Sequence, residues 1–174
     1  VSGGVESEQD TVELQDRLYL NDGQGNYELA PAEALPKMNF SGSAVAASDF
    51  DRDGDLDLFV GGRLRRGEYP TSPKSTLLRN DTGDDNVARL TDVTSELGKG
   101  LEKCGMVTGA LWSDANGDGW LDLLLSIEWG PVKIFLNKDG KFIDSTRQSG
   151  LSEYNGWWNG LTARDIDGDG DMDY

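Results

Sequence analysis

One nine-residue pattern occurs three times in this chain and restricts its fold more than any other feature. The copies are Asp49-Phe-Asp51-Arg-Asp53-Gly54-Asp55-Leu-Asp57, Asp114-Ala-Asn116-Gly-Asp118-Gly119-Trp120-Leu-Asp122 and Asp165-Ile-Asp167-Gly-Asp169-Gly170-Asp171-Met-Asp173, beginning 65 and 51 residues apart. A second element recurs out of phase: Leu18-Tyr-Leu20-Asn21, Leu77-Leu-Arg79-Asn80 and Ile134-Phe-Leu136-Asn137, each leading into a turn with Gly. Thr91-Asp92-Val-Thr94 is echoed by Ile143-Asp144-Ser-Thr146. Elements repeated in one cyclic order, with a period of about 50 to 65 residues, mark a repeat architecture.

Within a period the pattern is β. Small and apolar runs, Ser43–Ala47, Val107–Trp112 and Gly160–Ala163, precede the acidic loops. After the first two loops come period-two alternations, Leu56, Leu58, Val60 and Leu121, Leu123, Leu125, Ile127. The Leu-x-Leu-Asn element supplies a third strand, and Tyr27–Leu29, Arg89–Thr91 and Lys141–Ile143 a fourth. Four short strands per period predict an all-β fold of β-propeller blades, each of four antiparallel strands. The chain then holds about three blades in a permuted frame and forms part of a larger propeller. Residues 1–36 form the second half of a blade, 37–98 a complete blade with the first loop, 99–153 a complete blade with the second, and 154–174 the first part of a blade with the third. Val1-Ser-Gly-Gly matches Val60-Gly-Gly62, and Met172-Asp173-Tyr174 matches Leu56-Asp57-Leu58. The ends are thus read as complementary parts of one split blade, completed by a longer parent chain or by head-to-tail self-association. No 12-residue window carries a helical stripe, and Lys99–Lys103 is expected to make one turn of helix at most. Arg63–Lys74 is expected to be a loop between second and third strands.

The acidic nonapeptides are read as metal sites. Carboxylates at positions 1, 3, 5 and 9 gather hard oxygen ligands, Gly at position 6 permits the sharp turn, and the position-7 carbonyl (Asp55, Trp120, Asp171) faces inward. So many carboxylates within nine residues repel one another unless a cation neutralises them. Oxygen-only ligands select Ca²⁺, with Mg²⁺ a poorer fit. An EF-hand would need an acid at position 12, where Val60 and Leu125 stand. The expectation is up to three Ca²⁺, held by Asp49, Asp51, Asp53, Asp55 and Asp57; by Asp114, Asn116, Asp118, Trp120 and Asp122; and by Asp165, Asp167, Asp169, Asp171 and Asp173. The middle site is expected to be weaker, because Asn116 replaces a carboxylate. The apolar residue at position 8 (Leu56, Leu121, Met172) is read as a plug fastening each loop to the core.

Composition removes several functions. The chain has 32 acidic and 16 basic residues, no His and one Cys. Without His there is no Ser-His-Asp or Cys-His nucleophile and no His-ligated zinc. The lone Cys104 reads as a small buried hydrophobe. A net charge of −16 repels phosphates and anionic lipids, so nucleic acid is not an expected partner. No run of 18 apolar residues exists, so no membrane insertion is expected.

Several residues stay ambiguous. Trp157 and Trp158, between Gly156 and Gly160, are read first as packing between blades and alternatively as a sugar-stacking or partner-binding platform. Trp112, Trp120 and Trp129 are read as core. The cluster Arg63, Arg65 and Arg66 reads as a solvated loop, with an acidic-glycan contact as the alternative. Asn80, within a glycosylation-type triplet as Asn39 also is, is better explained as a turn residue. Glu128 beside Trp129 is the one carboxylate–aromatic pair outside the loops that fits catalysis.

The loops set between strands resemble the FG-GAP/VCBS repeats of integrin-α-like β-propellers. Leu18-Tyr-Leu-Asn-Asp-Gly23 and Phe135-Leu-Asn-Lys-Asp-Gly-Lys-Phe-Ile-Asp144 are similar to pieces of secreted bacterial VCBS-repeat proteins. The resemblance covers nearly the whole chain. It implies a propeller, usually of seven blades, with Ca²⁺ held near one rim. The expected function is a calcium-stabilised segment for binding or adhesion to a protein or glycan ligand, without catalysis. Its expected location is extracellular, at the cell surface or periplasmic, where free calcium is millimolar. The alternatives are part of a calcium-dependent propeller-fold polysaccharide lyase or hydrolase, and a purely structural scaffold.

Overall fold

In the computed structural model, which describes residues 12–174, the period-two segments become strands and the Gly- and Asp-rich stretches become turns. The strands are β1 (Tyr19–Asn21), β2 (Tyr27–Leu29), β3 (Gly42–Ser48), β4 (Asp57–Gly62), β5 (Thr76–Asn80), β6 (Leu90–Asp92), β7 (Met106–Ser113), β8 (Asp122–Gly130), β9 (Lys133–Lys138), β10 (Lys141–Asp144) and β11 (Gly156–Trp157). Helix among the described residues is confined to single turns: α1 (Thr94–Leu97) and 3-10 turns at Val12–Leu14, Ala32–Ala34 and Leu101–Lys103.

Two sheets repeat one antiparallel order, β3-β4-β5-β6 and β7-β8-β9-β10, while β1 and β2 form a hairpin. These are the all-β, four-stranded units expected of propeller blades. Register repeats as well: Ser48 pairs with Asp57, Ser113 with Asp122, and Arg164 with Asp173, each pair closing one acidic loop. The first strands of the two sheets, β3 and β7, lie side by side, and Ser43 Oγ donates to the Val107 carbonyl (2.6 Å). Gly61 permits this approach, since a Cβ there would stand 2.6 Å from Val107 Cγ1.

The principal core fills the space between the sheets, with Phe50, Phe59, Leu77, Val107, Leu123, Leu125, Phe135 and Phe142 buried in one cluster. Phe50 stacks on Trp112 (6.2 Å) and meets Phe142 edge-on (5.4 Å). Met38, Phe40, Val60 and Leu78 form a second cluster. Successive residues Phe59 and Val60, like Leu77 and Leu78, enter different clusters. The pleat turns neighbours to opposite faces, so this sheet is buried on both sides, as a blade between neighbours must be.

The position-8 residues are not plugs. Leu56, Leu121 and Met172 are 62%, 38% and 49% exposed. Position 9 has to point inward, so the pleat sends position 8 outward; the residue that fastens the first loop is Phe50, at position 2. The expected strand at Gly160–Ala163 does not form, and β11 pairs instead with the far end of β8, at Glu128 and Gly130. The one-turn α1 lies outside the stretch read as helical. Trp129 is 59% exposed rather than core, and Trp120 lies in a loop. Val1–Gly4, which carry the split-blade match, lie outside the described residues.

Candidate metal centre

Each loop is built by its own first aspartate. Asp49 accepts from the N–H groups of Asp53 and Gly54 (both 3.1 Å), and Asp114 from Asp118 (3.1 Å) and Gly119 (2.8 Å). Asp165 accepts from Gly168 (2.7 Å) and Gly170 (3.1 Å). The position-6 glycines Gly54, Gly119 and Gly170 have φ of 100°, 87° and 97°, a conformation that a side chain strongly disfavours. Position 9 ties the loop to the sheet. Asp57 accepts from Phe50 N–H (3.1 Å) and Asn80 N–H (2.8 Å), and Asp122 from Ala115 (2.9 Å) and Asn137 (2.7 Å). Asp173 accepts from Ile166 N–H (2.9 Å).

This explains the recurring asparagine of the Leu-x-Leu-Asn element, which sequence reasoning treated as a turn residue. Asn80 Oδ1 does accept from Thr82 N–H (3.1 Å), but its Nδ2 donates to the Leu56 carbonyl (3.3 Å). Asn137 Nδ2 donates to Leu121 O (3.2 Å) and also to Phe50 O (2.8 Å) in the preceding blade's loop. The available signal was the recurrence of the asparagine in the same cyclic order as the loops, at the end of each Leu-x-Leu-Asn-type segment.

One carboxylate oxygen from each of Asp49, Asp51 and Asp57 lies within 4.8 Å of the others, and so do those of Asp165, Asp167 and Asp173. Oxygens bound to one Ca²⁺ at about 2.3–2.6 Å are at most ~5 Å apart, so both trios fit a single hard cation. Asp53 and Asp169 fall outside the trios; their Oδ1 atoms accept from the N–H groups of Asp55 and Asp171 (both 2.9 Å). In the middle loop the residues at positions 3 and 5 bond each other, Asn116 Nδ2 donating to Asp118 Oδ2 (2.9 Å).

Electrostatics mark the first two loops as strained without a cation. Burial pushes the Asp57 carboxyl up to about 6; Asp51 and Asp53 add to the rise, while the N–H groups of Asn80 and Phe50 oppose it. Burial also raises Asp122, and Asp51 is raised by burial and by Asp53.

The loops stand along one rim. Arg52 of the first loop donates to Gly119 O of the second and lies over the Trp120 ring, 3.9 Å from its centroid. The second and third loops line a common cavity through Asp114, Asn116, Gly170 and Asp171.

The opposite ends of the strands gather other residues. Trp157 and Trp158 are 60% and 41% exposed, against the inter-blade packing expected of them. Arg63 is no solvated loop residue: it donates to the buried Glu128 carboxylate.

Residues 8–60 and 114–174 match the FG-GAP-like repeat family. A protein of Thermofilum pendens named probable ribonuclease FAU-1 is 36% identical over 111 residues, which make up 64% of this chain and 20% of that relative. The chain therefore spans only a fifth of that protein's length, and the activity named there is a statement about that protein.

Proposed function

The chain belongs to the FG-GAP-like repeat family, and from that premise we propose that it is a calcium-binding β-propeller segment serving extracellular ligand binding or adhesion without catalysis. The observation that carries this reading is the convergence of Asp49, Asp51 and Asp57, repeated by Asp165, Asp167 and Asp173. Bound calcium would sit against Asp57 and, by extension, against the corresponding Asp122 and Asp173. It would neutralise the carboxylates that burial and mutual repulsion disfavour, so that metal binding adds to folding free energy. The residues themselves hold the loops open for it: Asp49 and Asp114 fix backbone N–H groups, and Asp57 and Asp122 fasten each loop to its third strand.

Calorimetric titration of the chelator-treated chain tests this. The expected result is up to three unequal Ca²⁺ sites, the middle one weakest. Melting temperature should rise on calcium addition, since a ligand at about 100 times its Kd stabilises by roughly 2.7 kcal/mol. Asp57→Asn should remove one site and leave the others. Absence of both heat and stabilisation would end the calcium reading.

A further inference from the structure

The rim opposite the acidic loops carries a built aromatic surface. Strand β8 starts at Asp122 in the second loop and ends at Gly130, which at about 3.3 Å per residue separates the two rims by roughly 25 Å. There, residues from three repeats converge: Arg63 and Tyr69 from the long loop after β4, Glu128 and Trp129 from the end of β8, and Trp157 of β11. Arg63 and the Tyr69 hydroxyl (2.7 Å) both donate to the Glu128 carboxylate, and Trp129 Nε1 donates to the Tyr69 oxygen. Trp157 lies against Trp129 with ring centroids 5.4 Å apart.

Two features separate this group from ordinary packing. The polar atoms of Glu128, Tyr69 and Trp129 are used within the network, while Tyr69, Trp129 and Trp157 remain 54%, 59% and 60% exposed. Burial alone would raise the Glu128 carboxyl, yet the Tyr69 hydroxyl and Arg63 outweigh it and hold it below its ordinary value; the anchor stays charged. Trp129 also has a φ of 61°, a conformation costly for a bulky residue and retained where the surroundings enforce it. Arg63 Nη1 is buried without a partner, a donor that lacks an acceptor. Exposed rings held by a shared hydrogen-bond network anchored on the buried Glu128, and by the Trp129–Trp157 ring contact, are preorganised for a flat, amphipathic ligand. The residues flanking them in sequence include Arg65, Arg66, Gly67, Glu68, Asn155 and Gly156, polar groups that suit the hydroxyls of a glycan.

We propose that Trp129, Trp157 and Tyr69 form a glycan-binding platform on which the C–H faces of pyranose rings stack. This rests on the binding role proposed above, and it places that role on the rim away from calcium. The Tyr69 hydroxyl and the Trp129 indole N–H are already bonded within the network, which leaves the ring faces as the binding surface.

The test is affinity electrophoresis of the 174-residue chain in saturating calcium through gels containing a neutral β-glucan, a xylan or a polyuronate, with tryptophan fluorescence followed in parallel. Retardation in at least one gel is expected, and the gel that retards separates neutral from acidic glycans. Trp129→Ala and Trp157→Ala should each weaken binding by at least about tenfold, an effect expected for one lost stacking ring. Tyr69→Phe, which keeps the ring but releases Trp129 and Glu128, should weaken it less. Tyr27→Ala, an exposed aromatic elsewhere, should leave it unchanged. Calcium-dependent melting is measured on every variant: if it persists while no gel retards the chain, or while Trp129→Ala and Trp157→Ala bind normally, the platform is refuted and the calcium reading stands.

Discussion

Asp57 has two roles that oppose each other. Its position between Phe50 N–H and Asn80 N–H requires a buried acceptor, and its neighbours Asp51 and Asp53 penalise its charge. Folding without a cation lifts its carboxyl from 3.8 to about 6, so the folded chain holds this proton more tightly than the unfolded one. In chelator, Asp57 therefore favours the folded state most below pH ~3.8, and that contribution is lost as pH rises through about 6. Chemical denaturation across this range should show a pH dependence that is reduced in Asp57→Asn, the remainder coming from Asp122 and Asp51; calcium affinity should move the other way, falling as pH drops through about 6. Asn137 is the other residue on which a loop depends. It is 1% exposed, it donates to two carbonyls and its Oδ1 accepts from Gly140 N–H (2.9 Å). Asn137→Ala leaves these groups unpaired and should cost about 3 kcal/mol in urea unfolding, against roughly 1 kcal/mol for the half-buried Asn80.

At the scale of elements, the alternation at Leu58 and Val60, and at Leu123 and Leu125, made β4 and β8 legible, because one face of each had to be apolar. Position 8 misled because Leu56 is apolar yet flanks a residue that must face inward, and composition does not reveal which of two neighbours the pleat favours. Strand β11 was misplaced because Gly160 and Leu161 pass against Gly109 of β7 without pairing with it, while Gly156 and Trp157 pair with the end of β8. Between loops, Arg52 links the first to the second through Gly119 O and the Trp120 ring. Its left-handed φ of 65° aims the side chain across that gap. Arg52→Ala removes a contact worth about 0.5–1 kcal/mol at exposed sites, and calcium titration should then show the first two sites binding independently. An unchanged isotherm would mean that the loops act alone.

At the scale of the whole chain, repetition was visible in sequence, but contacts that cross from one repeat to the next were not. Arg63 meets Glu128 and Phe50 meets Trp112 only because β3 and β7 lie side by side. The spacing of the loops says how often a unit occurs, not which surfaces of successive units touch. That is why Trp157, the Glu128–Trp129 pair and Arg63 stood out singly in the sequence while their convergence, and the part of Tyr69 in it, did not: they are drawn from three repeats and share no pattern.

The bond from Asn137 to the Phe50 carbonyl spans 87 positions, and Asp57 waits 23 positions for Asn80. A chain made from its N-terminus onward therefore presents each of the first two acidic loops before the strand that completes it. The first loop is fastened to its own sheet once residue 80 has emerged, and its Phe50 carbonyl is satisfied only after residue 137. The second unit thus supplies a bond that the first unit's loop lacks until that unit has been made.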